Sequence, residues 1–217
     1  MLKPVVFVLG LLPLAWLVQA VFNDALGANP AEALVRSLGV WALRALVIVL
    51  AVTPVRVVMG WPWLARLRRM LGLYVFFYAT LHWLAYAWFD AGFDLAAIVA
   101  DIPRRPFILV GTLAWLLLAV LAMTSPHRVA RLMGGRRWRA LHRSIYAVAV
   151  LVVLHFFWMR TGKNDFAEVA VYAGLLGSFV QAVSGGAPPA EPADLVLVEK
   201  VSRHFDAAGG LLRWPAR

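Results

Sequence analysis

The 217 residues are 63% hydrophobic with a mean hydropathy of +0.78, whereas soluble domains are about half apolar. This composition excludes an ordinary soluble domain and predicts an integral membrane protein. The chain has no cysteine, which excludes disulfides, zinc–thiolate sites and cysteine-ligated iron–sulfur clusters within this polypeptide. Its formal net charge is +10, and the placement of the basic residues carries information about topology.

Six apolar runs approach the length of about 20 residues that a membrane-spanning helix needs. In chain order they are Val5 to Phe22, Leu38 to Val58, Leu71 to Phe89, Phe107 to Thr124, His142 to Trp158 and Phe166 to Val183. The short strands of alternating polarity that mark an outer-membrane barrel are absent. The pattern predicts an all-α bundle of six transmembrane helices over residues 1–183. The Gly/Pro-rich residues 184–217 are expected to form a disordered cytoplasmic tail.

The first run allows two interpretations, a cleaved signal peptide that ends near Val18-Gln19-Ala20 or a retained helix. We favour retention, because the run is longer than a signal core, contains Pro13 and Trp16, and stays apolar beyond that point. In both cases the second helix starts from the outside.

Basic and acidic residues separate between the two sets of connecting loops. The loops after the second and fourth runs contain no carboxylate, and their basic residues are Arg56, Arg66, Arg68, Arg69, Arg128, Arg131, Arg136, Arg137, Arg139 and Arg143. The opposite loops contain Asp24, Glu32, Asp90, Asp94, Asp101, Asp165 and Glu168, against only Arg36, Arg104, Arg105, Arg160 and Lys163. By the positive-inside rule, both termini are expected to be cytoplasmic. The basic loops would attract anionic lipid or a cytosolic donor protein, which we prefer to nucleic-acid binding.

Three histidines lie within or at the end of apolar runs, where an ionisable side chain is costly and usually functional. His82, in ATLHWLAYAW, lies about half-way along the third run, and His155 lies at a comparable depth in the fifth run. Because these two helices cross the membrane in the same direction, the matched depth predicts an axial ligand pair for one haem. Taken singly, either histidine is equally well explained by a hydrogen bond to a neighbouring helix.

The third histidine, His142, begins the fifth run. On one continuous helix, the spacing from His142 to His155 corresponds to a rise of about 20 Å and a rotation of about 220°, so the two cannot bind the same small ion. His142 is therefore expected near the cytoplasmic boundary, either as a ligand of a second, more exposed haem or as a plain interfacial residue. His127 and His204 lie outside the apolar runs and are expected to be solvated.

A charged residue, Arg44, interrupts the second apolar run within the stretch WALRALVIV. Such a side chain either extends its guanidinium group to the membrane surface or pairs with a partner inside the bundle. Both interpretations stay open. In the second, the partner would be a carboxylate of a cofactor, so Arg44 is a candidate cofactor-binding residue.

Five stretches occur in a distinctive order, namely WALRALVIVLAVTPV, ARLRRMLGLYVF, ATLHWLAYAW, GRRWRALHRSIY and VLHFFW. In this order and with this spacing the chain resembles the MsrQ (YedZ) family, the haem-binding membrane subunits of periplasmic methionine sulfoxide reductase systems. The resemblance runs from about Leu12 to Val183 and extends to the ferric-reductase-like transmembrane proteins, in which haems lie between helices that carry histidines. It implies that the haem histidines of the family fall on His82, His142 and His155.

The resemblance implies a transmembrane electron conduit without a substrate-reducing site of its own, in a bacterial inner membrane. Electrons would come from a cytosolic NAD(P)H flavin reductase or from the quinol pool, and would pass through one or two b-type haems. They would then reach a periplasmic MsrP-type molybdopterin subunit that repairs oxidised methionine. The resemblance also implies FMN, although the chain has no phosphate-cradling glycine loop and Gly134-Gly135 is typical of a turn. Wider relatives carry another histidine where this chain has Arg66 to Arg69, so the resemblance supplies no partner for His142.

Two other classes of function are alternatives to a haem conduit. A small transporter or proton channel would use the buried histidines to relay protons, but no internal repeat or pair of broken helices favours it. A structural anchor for a partner enzyme is the third possibility. The loop from Ser125 to Leu141 and the tail are far shorter than a typical domain of about 100 residues. A conduit would therefore need separate donor and acceptor proteins.

Overall fold

A computed structural model describes residues 2–161 and 166–184, and all regular structure in these two ranges is helical. The long helices are α1 (Leu2–Phe22), α2 (Pro30–Met59), α3 (Arg68–Phe89), α5 (Pro106–Met123), α8 (Ile145–Thr161) and α9 (Ala167–Ser184). The shorter elements are a 3₁₀ helix (Pro62–Leu67), α4 (Leu95–Arg104), α6 (His127–Met133) and α7 (Gly135–His142). The predicted all-α membrane fold is confirmed.

Five stretches of the described chain are long and apolar enough to cross a membrane. They are Leu2–Phe22, Pro30–Met59, Pro62–Phe89, Pro106–Met123 and Gly135–Arg160. The sixth predicted run forms a shorter apolar helix, Ala167–Phe179, at the start of α9. The bundle therefore consists of five candidate spans and one shorter apolar helix. The predicted tail, residues 184–217, lies outside the described residues except for Ser184, the last residue of α9.

The centre of the bundle is an aliphatic core to which five of the long helices contribute. Its buried members are Leu43, Leu46, Val49 and Leu50 from α2, Val75 from α3, Ala114 and Leu118 from α5, Val148 and Ala149 from α8, and Leu176 from α9. The most extensive pairings are α2 with α3 and α5 with α8. These two antiparallel helix pairs frame the site described below.

The described carboxylates and ten of the described arginines lie at opposite ends of the bundle, whereas Arg36, Arg104, Arg105 and Arg160 lie at the same end as the carboxylates. The acidic face is the end where α1, α3 and α8 finish and where α2, α5 and α9 begin, and it includes α4. Every carboxylate side chain of the described ranges lies there, namely Asp24, Glu32, Asp90, Asp94, Asp101 and Glu168. The opposite end, the basic face, carries the ten arginines from Arg56 to Arg69 and from Arg128 to Arg143 that are named above.

Between α3 and α5 the chain forms the short helix α4, where the sequence was interpreted as a loop. The Asp94 side chain caps this helix by accepting hydrogen bonds from the backbone N–H groups of Ala96 and Ala97. The Tyr86 hydroxyl on α3 donates to Asp101 on α4 at 2.9 Å, and Arg105 forms an ion pair with the same carboxylate. These contacts hold α4 across the acidic face.

The stretch from Trp138 to His155 is not the single continuous helix that the sequence predicted. Helix α7 ends at His142 and α8 begins at Ile145. At the junction, the N–H groups of Ser144 and Tyr146 bond to carbonyls three residues earlier, which is the tighter 3₁₀ pattern. The rise and rotation expected from one ideal helix therefore do not apply. The predicted loop from Ser125 to Leu141 is also largely helical, as α6 and α7.

Candidate metal centre

Two partly buried histidines meet between the helices, His82 from α3 and His155 from α8. Their ring centroids are 6.1 Å apart and the ring planes are inclined by 82°. A metal bonded at about 2 Å to one nitrogen of each ring, on opposite sides, would hold the two centroids about 6 Å apart. The structure therefore brings together the two histidines that were expected to pair, at a separation that suits one shared metal.

The orientation of the His82 ring is set by α2. Its Nδ1 atom lies 2.8 Å from the carbonyl oxygen of Val35. Because a carbonyl oxygen can only accept a hydrogen bond, Nδ1 carries the proton and donates it. In the neutral imidazole the lone pair then remains on Nε2, the nitrogen that is left to bind a metal.

The His155 ring is oriented in the same way by α5. Its Nδ1 atom lies 2.7 Å from the carbonyl oxygen of Phe107, and so Nδ1 is again the donor. The two rings are thus held in the same tautomer by two different helices. In metal proteins, such a hydrogen bond from the second ring nitrogen fixes the orientation of the imidazole and raises its basicity.

Each imidazole also lies against a glycine one helical turn beyond the carbonyl that holds it. A Cβ atom at Gly39 on α2 would be 3.1 Å from the Cε1 and Nδ1 atoms of His82. A Cβ atom at Gly111 on α5 would be 2.9 Å from Nδ1 of His155. We call each such pair, a backbone carbonyl and the glycine four residues later, a carbonyl–glycine notch. A side chain at either glycine would push the ring away, so the notches fix the positions of both imidazoles.

This donor set fits a haem. Two imidazole nitrogens from the protein would hold the iron, while a porphyrin would supply its other four nitrogens. Within the described ranges, no cluster of three or more His, Cys, Asp or Glu side chains could hold a bare metal ion. A haem iron needs only the two axial nitrogens from the protein, which His82 and His155 can offer.

A contact between α3 and α5 sets the distance between the helices of the site. The indole N–H of Trp115 on α5 donates to the Thr80 hydroxyl on α3 at 3.0 Å. The same indole stacks on Trp83, with the ring centroids 5.1 Å apart and the planes 11° from parallel. Since Trp83 follows His82 directly, this contact holds the histidine-bearing segment of α3 against the helix that carries the second notch.

The structure places His142 apart from the pair. It ends α7, whereas His155 lies ten residues after the start of α8, a rise of about 15 Å. The Nε2 atom of His142 lies 3.2 Å from the Thr124 hydroxyl, and its ring stacks on Trp138 at 4.1 Å. The Trp138 indole in turn donates to the Thr124 carbonyl. His142 thus belongs to a separate cluster at the basic face.

The remaining candidates are Arg44, His127 and His204. Arg44 is exposed on the side of α2, with its guanidinium carbon 4.7 Å from the centre of the Trp41 ring, and no carboxylate pairs with it among the described residues. His127 is exposed at the start of α6, in agreement with a solvated side chain. His204 lies outside the described residues.

The notch positions Val35, Gly39, Phe107 and Gly111 were not singled out from the sequence. Two of them act through backbone carbonyls, which every residue has, so no residue type could have marked them. The glycines did leave a signal, because a glycine inside an apolar membrane helix often marks a close approach of another element.

Three comparisons relate the chain to known proteins. A family model described as the ferric reductase like transmembrane component matches residues 38–153. The chain is 58% identical, over 80% of its length and 80% of the relative, to a protein-methionine-sulfoxide reductase heme-binding subunit MsrQ of Polaromonas naphthalenivorans. A protein of the same name from Ralstonia nicotianae is 46% identical, over 85% of this chain and 91% of the relative. Another, from Rhodospirillum rubrum, is 49% identical, over 79% of this chain and 82% of the relative. No solved structure matches the chain.

Proposed function

Because this chain belongs to the MsrQ family, within the ferric reductase like transmembrane proteins, we propose that it is the haem-binding, electron-carrying subunit of a methionine sulfoxide reductase. The observation that carries the proposal is the His82–His155 pair, with ring centroids 6.1 Å apart. Both Nδ1 atoms are engaged by backbone carbonyls, which directs both Nε2 atoms to a metal.

In this proposal His82 and His155 would hold a b-type haem through their Nε2 atoms. The haem would supply one-electron chemistry, with a potential that depends on its protein ligands and on the hydrogen bonds to them. The carbonyls of Val35 and Phe107 would influence that potential, because each accepts a hydrogen bond from the Nδ1 of one histidine. The notch glycines keep the rings in place and the helices close, which keeps other groups away from the ligand nitrogens.

We further propose that the basic face is cytoplasmic and the acidic face periplasmic in a bacterial inner membrane. The support is the segregation of charge, since arginine-rich, acid-free segments are retained on the cytoplasmic side. Electrons then enter at the basic face from a cytosolic NAD(P)H flavin reductase or from quinol. They leave at the acidic face to a periplasmic MsrP-type molybdopterin subunit. FMN, if it binds this chain, would find arginine partners for its phosphate at the basic face.

The topology is tested by reporter fusions after Asp94 and Gly134. A periplasmic reporter is expected to be active at Asp94, next to α4, and inactive at Gly134, between α6 and α7. A cytoplasmic reporter should give the reverse pattern, and its activity at Asp94 would contradict the proposed orientation.

The direction of electron flow is tested in inside-out vesicles, which expose the proposed cytoplasmic face. NAD(P)H with a flavin reductase is expected to reduce the haem there, and right-side-out vesicles treated in the same way serve as the control. Equal reduction in both orientations would contradict a donor site at the basic face. Reduction by quinol alone would assign the donor to the membrane pool.

We propose that His142 ligates a second, more exposed haem at the basic face, with arginines pairing with its carboxylates. The support is the partly buried His142 ring, whose Nε2 atom lies 3.2 Å from the Thr124 hydroxyl, in a region rich in arginine. The haem count of His142→Ala is expected to fall from about two per polypeptide to about one, whereas Thr124→Val, which keeps the imidazole, should retain the wild-type count. An unchanged count with unchanged turnover in His142→Ala rejects the second site.

A further inference from the structure

An apolar groove of about 530 Å³ runs along the bundle between α1, α2 and α3, in the half nearest the acidic face. Its walls are the α1 segment from Leu14 to Phe22, the α3 segment from Leu81 to Phe89, and Leu34 and Leu38 from α2. The surface that the lining side chains present to it is apolar. The groove is open to the surroundings of the bundle, and it plays no part in the function proposed above.

On the basic-face side of the groove, α1 is hydrogen-bonded to α3. The hydroxyls of Tyr74 and Tyr78 on α3 donate to the backbone carbonyls of Phe7 and Gly10 on α1, at 2.5 and 2.7 Å. Gly10 permits this approach, since a Cβ atom there would be 2.5 Å from the Tyr74 ring. Beyond these contacts, Leu17 of α1 is buried in one apolar cluster with Leu38 and Ala85, and the groove runs beside this cluster.

The dimensions of the groove match one leaflet of a bilayer. The wall from Leu14 to Phe22 rises about 12 Å, and so does the wall from Leu81 to Phe89. Half of a hydrocarbon core of about 30 Å is about 15 Å. A chain lying in this groove would therefore run parallel to the helices from the middle of the membrane to the acidic face.

The rim of the groove carries negative charge. Asp24 follows the end of α1, two residues after Phe22, and Asp90 follows Phe89 at the end of α3. Both carboxylates are exposed, and no described cation forms an ion pair with either. This rim favours a cationic group and opposes an anionic one at the mouth of the groove.

We propose that the groove binds one acyl chain of phosphatidylethanolamine, with the ammonium group of the lipid beside Asp24 and Asp90. The apolar walls suit a hydrocarbon chain and offer no hydrogen-bond partner to a polar ring such as the head of a quinone. The acidic rim selects an aminophospholipid over an anionic lipid. Leu34 and Leu38 flank Val35, so the bound chain also packs behind the α2 notch that holds His82.

The test is native mass spectrometry of the purified holoprotein after exchange into nanodiscs of phosphatidylethanolamine or phosphatidylglycerol. Wild type is expected to retain one phosphatidylethanolamine per chain and about tenfold less phosphatidylglycerol. Leu84→Trp, which fills the groove from α3, and Val18→Trp, which fills it from α1, should lose the bound lipid. Leu113→Trp places the same side chain on α5, outside the groove, and should retain it.

The double variant Asp24→Asn, Asp90→Asn is expected to abolish the preference between the two lipids without abolishing retention. Equal lipid retention by wild type and both groove-filling variants would overturn the proposal. Recovery of a prenylquinone in place of phospholipid would also overturn it. So would a dimer of the chain that dissociates in both groove-filling variants, because the groove would then hold a second copy.

Discussion

Substitution of His82 or His155 by alanine is expected to remove the low-spin haem spectrum of the site described above. Each histidine provides one of the two proposed nitrogen donors, whose rings have centroids 6.1 Å apart, so either change would leave the iron with one donor fewer. Loss of a residue that only supports a metal ligand weakens binding about 10- to 100-fold, and loss of the ligand itself should cost at least as much. Visible spectra and the haem content per polypeptide of the purified variants measure the effect.

The matched control is His127→Ala, because His127 is exposed at the start of α6 and should leave the spectrum unchanged. Wild-type low-spin spectra in both single variants would show that another pair of side chains binds the iron. The same measurement separates a haem conduit from a histidine proton relay, since a relay has no visible absorbance to lose.

The second large effect is expected from a methyl group in the notches. In Gly111→Ala the new Cβ atom would be 2.9 Å from Nδ1 of His155, so the ring must shift and its bond to the Phe107 carbonyl must lengthen. Such overpacking costs about 1–3 kcal/mol, which corresponds to roughly a 5- to 150-fold loss of haem affinity. Gly39→Ala should have a smaller effect, because the closest atoms of His82 would be 3.1 Å away.

Gly72→Ala is the control for the change of residue type, since Gly72 also lies in a helix and a Cβ atom there would contact nothing within 4 Å. Alanine is a better helix former than glycine, so this variant should be at least as stable as wild type. Titration of haem into the Gly111→Ala, Gly39→Ala and Gly72→Ala variants measures the order of their haem affinities. If Gly111→Ala binds haem as tightly as Gly72→Ala, the notch does not position His155.

The apolar runs were sufficient to predict the long helices, and the positions of His82 and His155 along their helices were sufficient to predict that the two lie close together. Their ligation of a haem stays a prediction. Hydrocarbon solvent imposes long apolar runs, which are visible without knowledge of packing. Depth along a helix follows from residue number, so two histidines at matched depth on helices of the same direction could be paired before their distance was known. The observed separation of 6.1 Å agrees with that pairing.

The α7–α8 junction, helix α4 and the contact between Thr124 and His142 could not be predicted from hydropathy and residue number. The position of His142 was extrapolated along an ideal helix, but the chain tightens at Ser144, between α7 and α8. Helix α4 was missed because it is too short for a hydropathy signal, although Asp94 and the apolar residues after it are typical of a capped helix start. The hydroxyl of Thr124 near His142 comes from a neighbouring helix, and no local pattern reveals such a contact.

The two carbonyl–glycine notches repeat one backbone arrangement. The carbonyl precedes its histidine by 47 residues in one case and by 48 in the other, and in each pair the carbonyl helix runs from the acidic face to the basic face and the histidine helix runs back. The α2–α3 and α5–α8 pairs therefore hold their histidines in the same way. The stretches that build the notches, VRSLG and FILVG, share only the final glycine, so the repetition lies in the backbone and not in the residue types. A single hairpin of this design that dimerised with its own copy would recreate both imidazoles, with each half holding the histidine of its own chain.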